Sequence, residues 1–256
     1  MKIFRSHSIR LGIILLLCLG FVYVLSSRTA PLQAQDAALL GTTPSAPTVY
    51  SLPITISNQG VAYDAKTNQI VATDYKNNVV QLVNLTTGAS TSMTVGTRPI
   101  AAAIYATSNK SYAYIGNEGS DSVSVIDLST KSVIKTIPVG QSPVSIAINS
   151  STGKGYVANF KSDNVSILTL STNTVAATTA VGAEPASIAI NTATKKIYVA
   201  NSKSDAVSVI DGTSNAVTTT IPVGQSPVFV VVNSGKSMAY SINSKGNSVS
   251  AINLST

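Results

Sequence analysis

The stretch "KKIYVANSKSDAVSVIDG", residues 195–212, alternates apolar and polar residues twice around a polar loop, as a β-hairpin does. Nearly the same words stand at "KGYVANFKSDNVSILTL", residues 154–170. Aligning the chain on this tetrapeptide places "IVAT" ending at Thr73, "YIGN" at Asn117, "YVAN" at Asn159 and Asn201, and "YSIN" at Asn243, in steps of 44, 42, 42 and 42 residues. A second marker, the glycine that closes "VG" or its relative, falls at Gly96, Gly140, Gly182 and Gly224 and keeps a similar period. A fixed period near 42 residues is the mark of a repeat architecture.

Within one period the alternation and the turn residues give four strands: "PVSIAIN" (143–149), "GYVAN" (155–159), "NVSILTL" (164–170) and "TVAATTAVG" (174–182). Four short antiparallel strands, repeated, describe a blade of a β-propeller. Composition agrees, because a blade is buried on both faces by its neighbours. The inner runs "VSIAI", "ASIAI" and "VFVVV" are small or β-branched throughout, and only 11% of the chain is charged. No segment carries a helical period. The expected fold is all-β, a five-bladed propeller over residues 48–256. The last copy stops after its third strand, "NSVSAINLST" (247–256), and an unpaired segment at the start, "TVYSLPIT" (48–55), carries the fourth-strand pattern, with Pro53 matching Pro138 and Pro222. That segment is expected to complete the C-terminal blade and close the ring, which would pair both exposed edges; an open ring, or one closed by a second molecule, is the alternative.

Ahead of the repeats, Lys2, Arg5 and Arg10 precede an apolar run from Leu11 to Leu25, followed by the polar, small-residue segment "RTAPLQAQDA" (28–37). This is the layout of a secretory signal peptide, with cleavage expected after Ala34 and residues 35–47 as a linker. The apolar run is short of the roughly twenty residues a membrane span needs; retention as an N-terminal anchor is the alternative and the one expected membrane attachment. The chain is therefore expected to be exported, to the periplasm, the cell surface or the medium. Without residues 1–34, thirteen Lys and Arg remain against ten Asp and Glu, so most of the formal charge of +7 belongs to the leader. The remaining lysines are scattered, which argues against a nucleic-acid partner.

The same removal takes away the sole histidine, His7, and the sole cysteine, Cys18, and the chain has no tryptophan. Nucleophilic sites built on His or Cys, His- or thiolate-ligated metals, haem attachment and disulfides are thereby excluded from residues 35–256. No cofactor and no metal is expected.

The repeats "YVANSKSDAVSVID" (198–211), "YIGNEGSDSVSVID" (114–127) and "IPVGQSP" (137–143 and 221–227) resemble the YVTN-type β-propeller repeat of bacterial and archaeal surface-layer and secreted proteins. The resemblance covers nearly the whole of residues 48–256 and implies the propeller fold and an envelope or extracellular setting. Many relatives have seven blades, so five is a departure, and no site is carried over from them.

Candidate site residues come from the columns of the repeat that depart from it. Propellers place ligands at a channel mouth where loops from every blade converge. In the loop that enters each blade the residue before proline is Arg98, Ser142, Glu184 and Ser226, so two copies depart from Ser to opposite charges. Arg98 and Glu184 are read either as drift in an exposed loop or as facing each other across the mouth, pairing or flanking a small polar ligand. In the second loop class, "NEGSD", "NFKSD", "NSKSD" and "NSKGN", the leading Asn and the closing Asp or Asn are read as turn-formers. Lys161, Lys203 and Lys245 share one column there and could form a basic arc, although solvated loop lysines are the simpler account. The recurrent Tyr114, Tyr156, Tyr198 and Tyr240 are read as packing between blades. The expected function is a non-catalytic binding scaffold, monomeric, whose partner is an envelope or extracellular protein or a surface polysaccharide. The alternative is a lactonase- or lyase-like propeller enzyme with its site at the channel mouth.

Overall fold

The structure, a computed structural model, describes residues 60–255. Among the described residues five antiparallel sheets follow one another along the chain. Blade 1 holds β1 (Val61–Asp64), β2 (Gln69–Asp74), β3 (Val79–Asn84) and β4 (Ser90–Thr94). Blade 2 holds β5 (Pro99–Ala106), β6 (Ser111–Asn117), β7 (Ser122–Asp127) and β8 (Ser132–Pro138); blade 3 holds β9 (Pro143–Asn149), β10 (Lys154–Asn159), β11 (Asn164–Thr169) and β12 (Thr174–Ala180). Blade 4 holds β13 (Pro185–Asn191), β14 (Lys196–Asn201), β15 (Ala206–Asp211) and β16 (Val217–Pro222), and blade 5 has three strands, β17 (Pro227–Asn233), β18 (Met238–Asn243) and β19 (Ser248–Asn253). This is the four-stranded blade expected from the alternation, and a 3-10 turn stands at Ser234–Lys236.

The first strand of every blade is innermost. β5 packs between β1 and β9, and β13 between β9 and β17. The second and third strands carry the core, because each is covered on both faces: β6, β7 and β10 are buried along almost their whole length, whereas β8 and β12 are exposed at the rim. Apolar clusters sit between blades. Tyr114, Val123 and Val125 of blade 2, for example, pack on Val157, Leu168 and Leu170 of blade 3, with Ile146 and Ile148 at the margin. The tyrosine column is core, as expected: Tyr114, Tyr156 and Tyr198 are buried, and burial raises the pKa of each phenol. Tyr240, with no blade after it in the series, is only half-buried.

Register corrects the alignment of blade 1. Asp74 opposes Val79 at the hairpin end where Asn117 opposes Ser122 in blade 2, so Asp74, not Thr73, is the counterpart of Asn117 and the first step is 43 residues. The offset from Gly96 arises in the outer strands, while the stretch from Gly96 to Asn117 is two residues longer than its counterparts in later blades. The β3–β4 pair is in continuous register, whereas β7–β8, β11–β12 and β15–β16 each carry a bulge that adds one residue.

The inner strands pack in series without a comparable contact between β17 and β1 among the described residues. The segment expected to complete blade 5, residues 48–55, lies outside the described residues, as do the expected leader and linker.

Candidate functional site

The loops between second and third strands meet the loops that enter the next blade, and their joints are built from the repeat's polar residues. Each second–third loop ends on a residue in the left-handed region: Asn78, Asp121, Asp163, Asp205 and Asn247 all have φ between 45 and 59°. Asn and Asp tolerate that conformation better than other L-residues. Their side-chain Oδ1 then accepts the backbone N–H of the pre-proline residue leading into the next blade: Asn78 from Arg98 (2.8 Å), Asp121 from Ser142 (2.8 Å), Asp163 from Glu184 (2.9 Å) and Asp205 from Ser226 (2.8 Å). Arg98, Ser142, Glu184 and Ser226 are themselves left-handed, with φ of 53–57°. The pre-proline carbonyl accepts in return, from the N–H of Glu118, Phe160, Ser202 and Ser244 respectively. The turn-former reading is thus borne out for the closing Asp and Asn column, but the leading Asn side chains accept no loop N–H and bond into the third strand instead.

The buried Asn117, Asn159 and Asn243 each donate from Nδ2 to a serine of the third strand, Ser124, Ser166 and Ser250, at 2.9–3.0 Å. They lock the base of the loop to the blade beneath it.

On this scaffold the side chains that break the repeat fall in adjacent blades. Arg98 does not reach Glu184. Its guanidinium instead grips Glu118, the residue after Asn117 in the neighbouring loop, with Nε 3.0 Å from Oε2 and Nη2 3.2 Å from Oε1. The pairing follows from the backbone joint, which brings the Glu118 N–H onto the Arg98 carbonyl at 2.9 Å. Two more hydroxyls converge on the same carboxylate: Tyr75 of blade 1 donates to Oε2 (3.2 Å) and the buried Ser142 to Oε1 (3.0 Å). The Tyr75 ring lies 5.9 Å from the Arg98 Cζ, in range of a cation–π contact. Gly119 makes room for this arrangement, since a Cβ there would stand 2.7 Å from Arg98 Nε. Blades 1, 3, 4 and 5 carry Lys76, Lys161, Lys203 and Lys245 at the same place.

Four residues from two blades and their joints therefore form one bonded cluster, Tyr75–Arg98–Glu118–Ser142. The Glu118 carboxylate is fully engaged by donors. The guanidinium remains half exposed, its side chain 46% accessible, and offers unused N–H groups to the mouth. Phe160 occupies the Tyr75 and Glu118 position in blade 3, so this column reads Tyr, Glu, Phe, Ser, Ser around the arc.

Glu184 has a separate partner, Lys203, at 3.6 Å, and also meets Ser202 Oγ at 3.5 Å. Lys203 is thus paired, and Lys161, Lys203 and Lys245 all stand exposed on the loops. Ser226 serves the backbone joint, and its own carbonyl accepts from Ser244. The sequence reading missed Tyr75, Glu118 and Phe160. The signal was present in the loop words themselves, as the variable second letter, once blade 1 is placed in its correct register. Among the described residues no group of three or more His, Cys, Asp or Glu is gathered as metal ligands would be.

At the opposite end of the blades lie two ion pairs, Lys110–Asp127 (2.8 Å) and Lys196–Asp211 (2.9 Å). Burial raises the Asp127 pKa, but the hydrogen bonds from Lys110, from the Ser129 side chain and from the Ser129 and Thr130 N–H groups outweigh it and hold the carboxyl below the usual range. The Ser214 N–H, Lys196 and the Thr213 N–H hold Asp211 low in the same way.

The blade order, the inner first strands and the loop joints define a β-propeller. Residues 54–237 match the YNCE-like beta-propeller family, and the chain belongs to it. A search of curated proteins found no match. Among solved structures, virginiamycin B lyase from Staphylococcus aureus superposes with a TM-score of 0.61 at 13% identity, over 78% of this chain and 70% of that one. At that identity the likeness is one of fold. Hydrazine synthase from Kuenenia stuttgartiensis aligns over 84% of this chain and 99% of that one at 14% identity, with a TM-score of 0.46.

Proposed function

We propose that this protein is an exported, non-catalytic propeller of the YVTN-repeat kind, and that it binds an envelope or extracellular protein or a surface polysaccharide through the loop mouth that carries Arg98. The observation that carries the reading is the Tyr75–Arg98–Glu118–Ser142 cluster. It breaks the repeat at one sector of one mouth and is held rigid by mutual bonds. Its half-exposed guanidinium over an aromatic ring is of the kind enriched where interfaces concentrate their binding energy. The carboxylate in it is committed to four donors, which suits a positioned recognition surface better than a proton-transfer group. Phe160, at the same loop position in the next blade, extends the apolar part of the sector.

The proposal is tested by converting the cluster to the repeat's own serine, as Tyr75→Ser, Arg98→Ser and Glu118→Ser together. Binding to isolated envelope and to purified surface polysaccharide should fall tenfold or more while the melting transition stays cooperative. Unchanged binding, or turnover of a lactone or lyase substrate that disappears in the same variant, would overturn it in favour of no role or of an enzyme.

A further inference from the structure

The side-chain charge of the described residues is divided unevenly between the two ends of the blades. At the end that carries Arg98, five cations stand among six acids, and Lys161 and Lys203 are each followed two residues on by an exposed aspartate, Asp163 and Asp205. At the opposite end, where first strands turn into second and third into fourth, seven lysines meet three acids. Every blade contributes a lysine at its first turn: Lys66, Lys110, Lys154, Lys195 and Lys236. Lys131 on the outer turn of blade 2 and Lys196 at the start of β14 complete the set.

The three acids are committed within the fold. Asp64 is buried and accepts the Lys66 N–H and the hydroxyls of Thr67 and Ser111. Asp127, also buried, holds Lys110, and Asp211 holds Lys196, while each caps the N–H groups of its own turn. The other five lysines make no ion pair among the described residues. Lys66 donates instead to the Thr107 and Ser108 carbonyls, and Lys154 to the Gly212 carbonyl and Asn215 Oδ1. Neutral oxygens fix these ammonium groups in place without cancelling their charge. Lys66, Lys131, Lys195 and Lys236 are all exposed.

We infer that this end of the blades docks on an anionic phospholipid bilayer. Charge and its layout select the occupant. The cations are spread over the turns of all five blades, which suits a planar array of headgroups, whereas a linear polyanion is served by a track of neighbouring cations. Tyr63, 37% exposed and bonded to Asn68 of the same turn, adds an amphipathic ring of the kind that settles at headgroup level. The attraction falls off within a Debye length of about 8 Å, and a blade strand of six residues holds the two ends roughly 20 Å apart. Only the end turned toward the bilayer therefore counts. Docked this way, the basic turns touch lipid alone and the Arg98 mouth faces away, open to its own partner. This attachment needs no spanning segment and does not depend on what the mouth binds.

The exported protein is sedimented with vesicles of phosphatidylglycerol and phosphatidylcholine in equal parts, with vesicles of phosphatidylcholine alone, and, separately, tested for binding to soluble polyphosphate. The inference predicts partition onto the anionic vesicles about tenfold or more above that onto the neutral ones, weakening as salt is raised. Lys131→Glu, Lys195→Glu and Lys236→Glu together should abolish it, and Lys236→Gln alone should lower it by about fivefold. Lys76→Glu, Lys161→Glu and Lys245→Glu together, the same change of charge at the other end, should leave most of it. Equal loss in the two triple variants would show that net charge acts without a face, and equal partition onto both vesicle types would show that charge does not act at all; either overturns the inference. Failure to sediment with anionic vesicles overturns it too, and retention of polyphosphate in that case would assign the end to a soluble polyanion.

Discussion

Arg98 Nε stands 3.0 Å from Glu118 Oε2 across the joint between the loop that enters blade 2 and the hairpin loop at its top. The pair is two-pronged, and the carboxylate is only 14% exposed, so it should couple more strongly than an ordinary surface pair. A double-mutant cycle with Arg98→Ser and Glu118→Gln is expected to show coupling of about 1 kcal/mol in urea unfolding, at the upper end for exposed pairs. Gly119→Ala should displace the guanidinium and remove most of that coupling, with a cost of its own because the new Cβ would also stand 3.0 Å from the Thr97 hydroxyl and 3.2 Å from the Thr97 backbone carbonyl.

The loop joint predicts a residue-type rule. Asp163 accepts the Glu184 N–H through Oδ1 at 2.9 Å, and blade 1 performs the same task with Asn78. Asp163→Asn should therefore unfold within about 0.5 kcal/mol of wild type, while Asp163→Ala, which removes the acceptor, should lose about 1 to 2 kcal/mol. The charge is incidental and the oxygen is what matters.

Tyr114 joins blades 2 and 3 from within the core, its hydroxyl donating to Asn173 Oδ1 at 2.5 Å. Tyr114→Phe should cost about 1 kcal/mol by leaving that acceptor without its partner. Because burial raises this phenol's pKa, its ionisation, followed by tyrosinate absorbance, should appear above the ordinary tyrosine range and only as the fold opens.

Asp127 and Asp211 both have carboxyls held below their unfolded value, so each contributes stability that is fully present above about pH 4 and is lost as pH falls toward their folded pKa values. Thermal melts between pH 5 and pH 2 should show a steady decline. Asp127→Asn combined with Asp211→Asn should flatten that decline while lowering the plateau near neutrality.

Much of the fold was legible because each blade must pack against a copy of itself. The strands read from alternation at 143–149 and 164–170 agree with β9 and β11 to within a residue. Gly and Pro marked the joints correctly. The register of blade 1 was not legible, since the bulge that lengthens blades 2, 3 and 4 leaves no residue signature and appears only as an offset in hydrogen bonding. For the site, the pre-proline column pointed to Arg98 and Glu184 as departures, but their partners depend on which loops share a joint. Arg98 reaches its neighbour in the adjacent loop, Glu118, and Glu184 reaches Lys203, so a pairing across the mouth does not form. Tyr75 was hidden by the one-residue offset that also concealed Lys76.

Site-specific photo-crosslinking in the native envelope tests the binding account most directly, with the probe placed once at Phe160, beside the Arg98 cluster, and once at Thr172, on a turn at the far end of the blades. The account predicts a discrete crosslinked product from position 160 that is lost when Arg98→Ser is added, and none from position 172. Equal capture from both positions, or capture at 160 that is indifferent to Arg98, would contradict it.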